Sequence, residues 1–493
     1  MTVDIYETIN NNIYNFPKKL PYITVSSKGI SNGLSTIYND GADFGPDTYL
    51  GATTKNRYGP PYSQTSGIQE AINYCQATGA NHIHLNKGIY TINWNDTFAQ
   101  QGYAIGIPSL PNGLHITGEG GGNIGMPFPL ANNNNNPYGS GVYTTLNGTV
   151  IYFNFPNTSY TNPYGNVSYG IKVLYSPDVT DNLTITEIYL DNVDFSSNLS
   201  QATYIWVVAD FENAQSLQIG HLNIWTNLPE ETPISPTPPT PSTFNNTIGL
   251  ITPKTPTTGM PGHIQIYIGG FFTGIVLNGS HQSILNLYIE SCNNAIQLSP
   301  YAHSSIINYA GIQNVQYVLR FIPPTSDYQT SIIINNLDTE IGSNTSIPLQ
   351  ALVYNPLNAY IMGKIRIHNT NNGLTLSELG TIPNGLEIEF NGISTGQITN
   401  LFQQSVNGTT AGNIFINQVK YSTYYKKVMF AFNGYENDTT TNQTISYPMP
   451  FNTIASITSN TTGLTITAST SGITITAPNS TTTYNGIVII EGY

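Results

Sequence analysis

A short phrase of apolar and polar residues returns along the chain at regular intervals. Two apolar residues flank one position, a polar residue follows, usually Asn or another small residue, and then a further apolar one. The copies lie at 188–193, 287–292, 310–315, 332–337, 365–369, 388–393 and 414–419. When the second apolar residue is the marker, the last six copies are 23, 22, 33, 23 and 26 residues apart. This period, with occasional insertions, is typical of a solenoid, in which each unit buries its inward residues only against the next unit.

The rest of the chain supports short strands joined by turns. Period-2 or fully apolar runs of four to six residues alternate with Asn and Gly turns. Parallel stacking at about 4.8 Å would place equivalent residues above one another. The polar residues after the markers would then line one turn, where Asn tolerates a left-handed conformation. The alternative is an antiparallel sandwich with accidental spacing.

One segment has the pattern of a helix. Thr65 and Ser66 are candidate N-caps, apolar residues follow at 68, 71, 72 and 75, and Gly79 is the expected stop. We predict that Ile68, Ala71, Ile72 and Cys75 form its buried face.

Two regions depart from the repeat. Residues 228–262 are rich in Pro and Thr, and we predict a long exposed loop inserted between coils. Beyond about residue 445, the segments 463–468 and 472–477 repeat after nine residues with strict alternation. Nine residues fit a hairpin better than a coil, so we predict a separate small β module at 445–493.

The region from 38 to 120 resembles the start of the pectate-lyase-like right-handed β-helix superfamily. The matching motifs, in order, are 38–43 (YNDGAD), 68–72 (IQEAI), 84–92 (HLNKGIYTI) and 116–120 (ITGEG). The departures are an insertion at about 49–64 and Asn86 in place of the usual Pro. The resemblance implies an all-β, single-stranded right-handed parallel β-helix over 38–430. Its N-terminal helix would cap the first coil, and residues 1–37 would form an attachment segment.

Charge and cysteine content exclude several classes of function. Only 8% of the residues are charged, the net charge is −13, and the arginines are Arg57, Arg320 and Arg366. With no basic stripe, nucleic acid is not an expected partner. Cys75 and Cys292 are predicted to be buried free thiols. No sequence cluster has zinc-ligand spacing and no window is apolar enough to span a membrane, so we expect no metal, no cofactor and no membrane span.

Sequence motifs for catalysis are weak. The Asp-Asp, Gly-His-Gly and Arg-x-Lys motifs of polygalacturonase-type hydrolases are absent, and Arg320 and Arg366 are the plausible bases for a lyase. Asp191 and Asp194 lie about one coil before Asp210 and Glu212, so stacking could pair these acids for glycoside hydrolysis. The alternative is that all four are solvated turn residues. Glu387 and Glu389, on alternating strand positions, are interpreted as outward-facing.

Binding has better sequence support than catalysis. The chain holds 34 tyrosines among abundant Asn, Ser and Thr, and such flat rings with polar edges suit sugars and protein contacts. Candidate binding residues in Tyr-rich loops are Tyr138, Tyr143, Tyr160 and Tyr164.

These features favour an outward-facing protein. The N-terminus has acids where a signal peptide has its basic region and lacks an apolar core, so we expect a virion surface spike or fibre that binds a host-surface glycan or receptor. Spikes of this superfamily are usually trimers bound to other virion proteins. The charge-poor composition is similar to that of proteins of hot-acid archaeal viruses, where few titratable groups limit acid destabilisation. The alternatives are an extracellular glycoside hydrolase or polysaccharide lyase of the same fold and, third, a cellular adhesin or surface-layer component.

Overall fold

The structure is a computed structural model of the chain. It describes residues 23–28, 41–55, 57, 60–93, 95–110, 112–119, 148–154, 169–176, 183–186, 188–192, 205–226, 247–254, 262–321, 330–340, 349–356, 361–370, 380, 385–391, 413–421, 425–435, 443–447, 450–476 and 484–493. The chain divides into two compact units, one of residues 1–198 with 206–227 and one of residues 199–205 with 228–493.

The first unit consists of short strands and two helices. Its strands are β1 (Ile23–Val25), β2 (His82–Leu85), β3 (Gly88–Asn93), β4 (Tyr103–Gly106), β5 (Leu114–Thr117), β6 (Thr149–Asn154), β7 (Tyr169–Tyr175), β8 (Leu183–Thr186), β9 (Ile188–Asn192), β10 (Ile205–Asp210) and β11 (Leu217–Thr226). Its helices are α1 (Ile68–Thr78) and α2 (Asp96–Gln101).

These strands stack as coils of a parallel β-helix. The chain runs through β2, β3 and β4, then through β5, β6 and β7, and each strand pairs in parallel with its equivalent one coil later. The register aligns one inward column across five strands: Ile23, Ile83, Ile116, Ile185 and Ile219. All five isoleucines are at most 2% exposed. Burying this column on every coil is the main driving force for the stack.

Helix α1 covers the start of this stack. It packs against β1, β2 and β4, and the predicted face of Ile68, Ala71, Ile72 and Cys75 is buried. Gly79 ends the helix in a left-handed conformation, as predicted.

The start of α1 differs from the sequence prediction. The N-cap is Gly67, at φ 86, and it makes no side-chain cap bond. The Thr65 hydroxyl nevertheless accepts a hydrogen bond from the Gln69 amide, at 3.0 Å. Glycine is required at position 67 because a Cβ there would lie 2.5 Å from the Gly45 amide nitrogen.

The second unit contains longer strands. They are β12 (Thr247–Ile251), β13 (Gly262–Gly269), β14 (Thr273–Leu277), β15 (Ser283–Leu298), β16 (Ser305–Phe321), β17 (Thr330–Glu340), β18 (Ala351–Tyr354), β19 (Ile361–Thr370), β20 (Leu386–Asn391), β21 (Asn413–Tyr421), β22 (Lys426–Tyr435), β23 (Gln443–Ser446), β24 (Ile454–Ser459), β25 (Thr465–Ala468), β26 (Gly472–Thr476) and β27 (Tyr484–Gly492).

Parallel stacking continues here up to β20. A second isoleucine column, Ile284, Ile307, Ile334, Ile365 and Ile388, crosses β15, β16, β17, β19 and β20. Every member is at most 1% exposed. Together with the columns of the first unit, this confirms the predicted fold class.

The turn after the marker also behaves as predicted in two neighbouring coils. Ser291 and Asn314 follow the paired residues Glu290 and Gln313, and both adopt positive φ, 54 and 51. Small polar residues fit this turn because their side chains tolerate the left-handed region.

Of the five marker pairs, two are aligned as predicted and three are not. Ile289 pairs with Ile312, and Ile367 pairs with Phe390, as expected. Ile334 instead pairs with Ile307, an earlier position in its coil, because its apolar run belongs to the isoleucine column. On its other side, Ile334 pairs with Ile365 and not with Ile367. The copy at 414–419 is not a parallel coil at all, because β21 runs antiparallel to β20.

Antiparallel pairing therefore starts before the predicted boundary. It runs from β20 through β21, β22 and β27 to β24. The nine-residue repeat forms the predicted hairpin, since β25 and β26 pair antiparallel and β23 completes a separate three-stranded sheet.

One predicted loop contains a strand. β12 lies inside the Pro/Thr-rich region 228–262 and pairs in parallel with β14, and Leu250 is fully buried. The exposed-loop prediction is thus wrong for 247–251, where the local sequence TIGLI is apolar enough to join the core. Residues 228–246 and 255–261, and the proposed attachment segment up to residue 22, lie outside the described residues.

Candidate functional site

A row of tyrosines lies on the outer face of the second unit. Tyr267 pairs in register with Tyr288, and their ring centroids are 6.3 Å apart. The Tyr309 ring on the next coil lies 5.5 Å from the Tyr288 ring. Alternation along β15 explains the outward direction, because Leu287 and Ile289 on either side of Tyr288 are buried in the core. We call Tyr267, Tyr288 and Tyr309 the tyrosine row.

A glycine makes room for the middle ring. Gly311 is the register partner of Tyr288 on β16. A Cβ at this position would lie 2.9 Å from Cδ1 of Tyr288. Any larger residue would therefore push the ring out of its present position, and Tyr309 contacts the same ring from two residues earlier in β16.

Carboxylates lie at both ends of the tyrosine row. The Tyr267 hydroxyl donates to Oε2 of Glu290 at 2.7 Å, and the Tyr309 hydroxyl donates to Oδ2 of Asp338 at 3.3 Å. Asp338 on β17 is the register partner of Gly311 on β16, and so lies two strands from Tyr288 on β15. Its other oxygen, Oδ1, is buried and has no hydrogen-bond partner in the described part of the chain. A buried carboxylate oxygen without a donor is costly, so a ligand hydroxyl would stabilise it once the half-buried Asp338 side chain turned to expose it.

The sequence did not single out these residues. Tyr288 and Glu290 belong to a recognised copy of the repeat, but only the register shows that Tyr267 and Tyr309 flank Tyr288. The usable sequence signal was the spacing of 21 residues between successive tyrosines, close to one coil.

A second cluster of charged residues spans the change from parallel to antiparallel pairing. Lys364 Nζ lies 2.8 Å from Oε1 of Glu387 and also contacts the carboxylate of Glu389. Arg366 Nε is 3.4 Å from Glu389, and Lys420 Nζ is 3.8 Å from both carboxylates. Glu387 and Glu389 alternate with buried residues of β20, which agrees with their predicted outward direction, but Glu389 is only 5% exposed because these cations cover it. We call these five residues the junction network.

The junction network is an ion-pair arrangement. Burial alone would lower the pKa of Lys364, but its contacts with Glu387 and Glu389 outweigh burial and raise that pKa. The cluster holds three cations against two carboxylates, an arrangement suited to joining β19, β20 and β21.

The register of the described strands does not pair Asp191 on β9 with Asp210 on β10. Asp191 pairs with Tyr152 and Trp225, on strands β6 and β11. Asp210 ends β10 and is 2% exposed, and its Oδ1 accepts from the amide of Glu212 at 3.1 Å. This bond is a local turn contact. The side chain of Asp191, and Asp194 as a whole, lie outside the described residues, and a catalytic role for these acids stays a prediction.

The proposed binding tyrosines fall outside the described residues as well. Tyr138, Tyr143, Tyr160 and Tyr164 belong to 120–147 and 155–168. Their binding role stays a prediction.

Other sequence expectations can be compared with the described residues. Cys75 and Cys292 are buried thiols that form no disulfide, as predicted. In the described ranges, no group of three or more His, Cys, Asp or Glu side chains is arranged to hold a metal ion. No helix in that same part of the chain is long and apolar enough to cross a bilayer.

Comparison with known proteins adds one weak similarity. No protein-family model and no curated protein matches the chain. Among solved structures, the chain is similar to the tailspike protein gp49 of Acinetobacter baumannii bacteriophage Fri1, a capsular polysaccharide depolymerase. The identity is 11%, the match covers 87% of this chain and 82% of that chain, and the TM-score is 0.21. The fold assignment above rests on strand pairing and register alone.

Proposed function

We propose that the protein is an outward-facing glycan-binding protein, and that its second unit binds sugar on the tyrosine row. The observation that carries this proposal is a row of adjacent, mutually tilted tyrosine rings whose last member, Tyr309, bonds to Asp338, a carboxylate with one oxygen that has no donor among the described residues. Apolar sugar faces pack on aromatic rings while sugar hydroxyls donate to carboxylates, and this arrangement supplies both.

The biological setting that we favour is the virion surface. A β-helix with few charged groups is a stable scaffold on which glycan-binding side chains can be displayed, and a spike or fibre makes this use of it. Host-surface glycan or receptor and other virion proteins are the proposed partners, and a homotrimer is the proposed assembly. Mass spectrometry of purified particles tests the setting, and light scattering of the purified chain tests the trimer. Absence of the protein from particles would favour the adhesin or surface-layer alternative. We include an archaeal host of the virus in this proposal.

The binding function is tested on an array of surface and capsular polysaccharides. The wild-type chain should bind at least one of them, and Tyr288→Ala should weaken binding about tenfold, equivalent to about 1.4 kcal/mol. Tyr301→Ala is the matched control, because Tyr301 is 44% exposed in the same unit but is not part of the tyrosine row. Equal binding by the two variants, or no bound glycan, would overturn the proposal.

A second candidate function is cleavage of the bound glycan. Glu290 and Asp338 lie two strands apart, on β15 and β17, and are offset by two residues in register, so their backbones are about 12 Å apart and their side chains must lean towards each other to act as a pair. Inverting glycosidases separate their two carboxyl groups by about 6.5–9.5 Å. A reducing-end assay on the bound polysaccharide tests this candidate. Activity that Glu290→Gln and Asp338→Asn each abolish would support it, and binding without product would exclude it.

A further inference from the structure

The arginines of this chain differ in whether they have an acidic partner. Arg57 pairs with Asp47 at 2.8 Å, and Arg366 pairs with Glu389 at 3.4 Å. Arg320, near the end of β16, forms no ion pair within the described residues. Its Nε is buried and has no hydrogen-bond partner there. In a chain with 27 acidic residues and net charge −13, this unpaired cation needs an explanation.

Aromatic rings surround the unpaired guanidinium. Its carbon Cζ lies 5.6 Å from the centroid of the Phe272 ring and 5.8 Å from that of Tyr354. The Tyr354 ring stacks on Tyr317 with a centroid distance of 4.6 Å. The Tyr317 hydroxyl donates to Oε1 of Gln350, which is exposed. We call Phe272, Tyr317, Arg320, Gln350 and Tyr354 the arginine cluster.

Register explains why these side chains meet. Arg320 on β16 pairs with Tyr354 on β18, and Tyr317 pairs with Ala351. Tyr317 and Tyr354 therefore lie on neighbouring strands, three register positions apart. Arg320, Tyr317 and Tyr354 are each half-buried, which leaves part of the cluster open to solvent. Among the guanidinium nitrogens, only Nε is fully buried without a partner, so Nη1 and Nη2 remain accessible to a ligand.

The electrostatics favour an anionic ligand. Partial burial lowers the pKa of Arg320, while the adjacent Tyr354 and Tyr317 act in the opposite direction. A guanidinium nevertheless stays charged at neutral pH. Aromatic faces compensate part of its lost hydration, but they leave its hydrogen-bond donors unused. A planar carboxylate matches the donor fork of arginine in a bidentate contact, which is the strongest partner available to it.

We propose that the arginine cluster binds a carboxylate-bearing sugar residue, with the carboxylate on Arg320 and the sugar ring against Tyr354 and Tyr317. A single cation in an acidic protein does not suit a polyphosphate, which requires several basic contacts. The proposal deepens the proposed glycan binding and rests on it, but it uses a set of residues separate from the tyrosine row.

The test compares two forms of one ligand on the wild-type chain. A glucuronate-containing hyaluronan oligosaccharide and its carboxyl-reduced form differ in charge while keeping the sugar rings. Isothermal titration should show at least tenfold tighter binding of the acidic form, and the difference should shrink as salt increases. Equal affinity for the two forms, or no binding of the acidic form, would overturn the proposal. This comparison needs no variant and so does not depend on whether a variant folds.

Variants then locate the contact. Arg320→Gln should remove the preference for the acidic form, while Arg320→Lys should keep part of it because the charge remains without the fork. Arg366→Gln is the matched control, since Arg366 lies in the same unit and pairs with Glu389. Loss of the preference in the Arg366 control, or its retention in Arg320→Gln, would contradict the assignment. If the wild-type chain binds the array but does not prefer the acidic form, this inference is refuted and the proposed function stands. A sulfated oligosaccharide that outcompetes the carboxylate would also refute it.

Discussion

The hydroxyl of Tyr267 donates a 2.7 Å hydrogen bond to Oε2 of Glu290, one coil later in the β-helix. Both side chains are nearly buried, at 8% and 9% exposure, although both belong to the outer face of the sheet. The bond therefore fixes one end of the tyrosine row and joins two successive coils. Hydrogen bonds of this kind between coils therefore help to determine where the side chains of the binding face lie.

Tyr267→Phe removes this bond while keeping the ring. We expect a loss of about 1–2 kcal/mol in the free energy of unfolding, because a nearly buried carboxylate loses a donor. Urea unfolding followed by far-UV circular dichroism measures the change. Tyr301→Phe, at an exposed position in the same unit, should change stability by less than about 0.5 kcal/mol. Equal effects of the two variants would refute the structural role of the bond.

Gly311→Ala should disturb the tyrosine row without unfolding the chain. The added Cβ would lie 2.9 Å from Cδ1 of Tyr288, and the ring would have to move away from Tyr309. We expect a changed near-UV circular dichroism spectrum and weaker glycan binding. Gly262→Ala is the control, because a Cβ there meets nothing within 4 Å. A Gly311→Ala chain with the wild-type spectrum and affinity would show that the ring position is not constrained.

Lys364→Met should destabilise the junction between parallel and antiparallel strands. The substitution leaves Glu389, 5% exposed, with two more distant cations, and we expect a cost of about 2 kcal/mol. Lys427→Met removes a more exposed pair with Glu491 and should cost less than about 1 kcal/mol. Thermal unfolding of the two variants tests the difference. A larger effect at Lys427 would contradict the assigned importance of the junction network.

His263 should make the stability of the chain depend on pH. Its ring is 2% exposed, and Nε2 lies 3.1 Å from Oε1 of Gln282, an acceptor, so Nε2 carries the proton of the neutral ring. Burial lowers the pKa of His263 to about 4 from its ordinary value of 6.5, while the bond to Gln282 opposes this. As pH falls from 6.5 towards 4, the unfolded chain gains a proton that the folded chain refuses. Folding stability should therefore decrease over that window, by up to about 3 kcal/mol.

Urea unfolding at pH 7.5 and pH 4 measures this decrease. His263→Gln should lose less stability between the two values than the wild-type chain. The control is His281→Asn, at an exposed histidine with positive φ that Asn tolerates, and it should keep the wild-type dependence. If His263→Gln and wild type decline in parallel, the buried histidine is not the cause. A charge-poor composition therefore does not by itself make the chain stable in acid, because one buried histidine still titrates.

Local sequence by itself determined the repeating coils, the helix with its end, and the C-terminal hairpin. Apolar residues at one-coil spacing predicted parallel stacking, since every coil must supply an apolar residue to each inward column. The residues around 65–79 predicted helix α1, its buried face and its end at Gly79. The nine-residue alternation at 463–477 predicted a hairpin because both strands lie next to each other in the chain.

Only the tertiary structure decided the register and its consequences. Ile334 pairs with Ile307 because insertions of variable length shift one coil against the next, and no local pattern records that shift. The change of direction at β21 has the same origin, since its apolar phrase fits a parallel or an antiparallel neighbour equally well. The tyrosine row, the junction network and the unpaired Arg320 are products of this register. From its first residue to its last, the tyrosine row spans 42 positions of the chain, the junction network 56 and the arginine cluster 82, and only stacking brings these residues into contact.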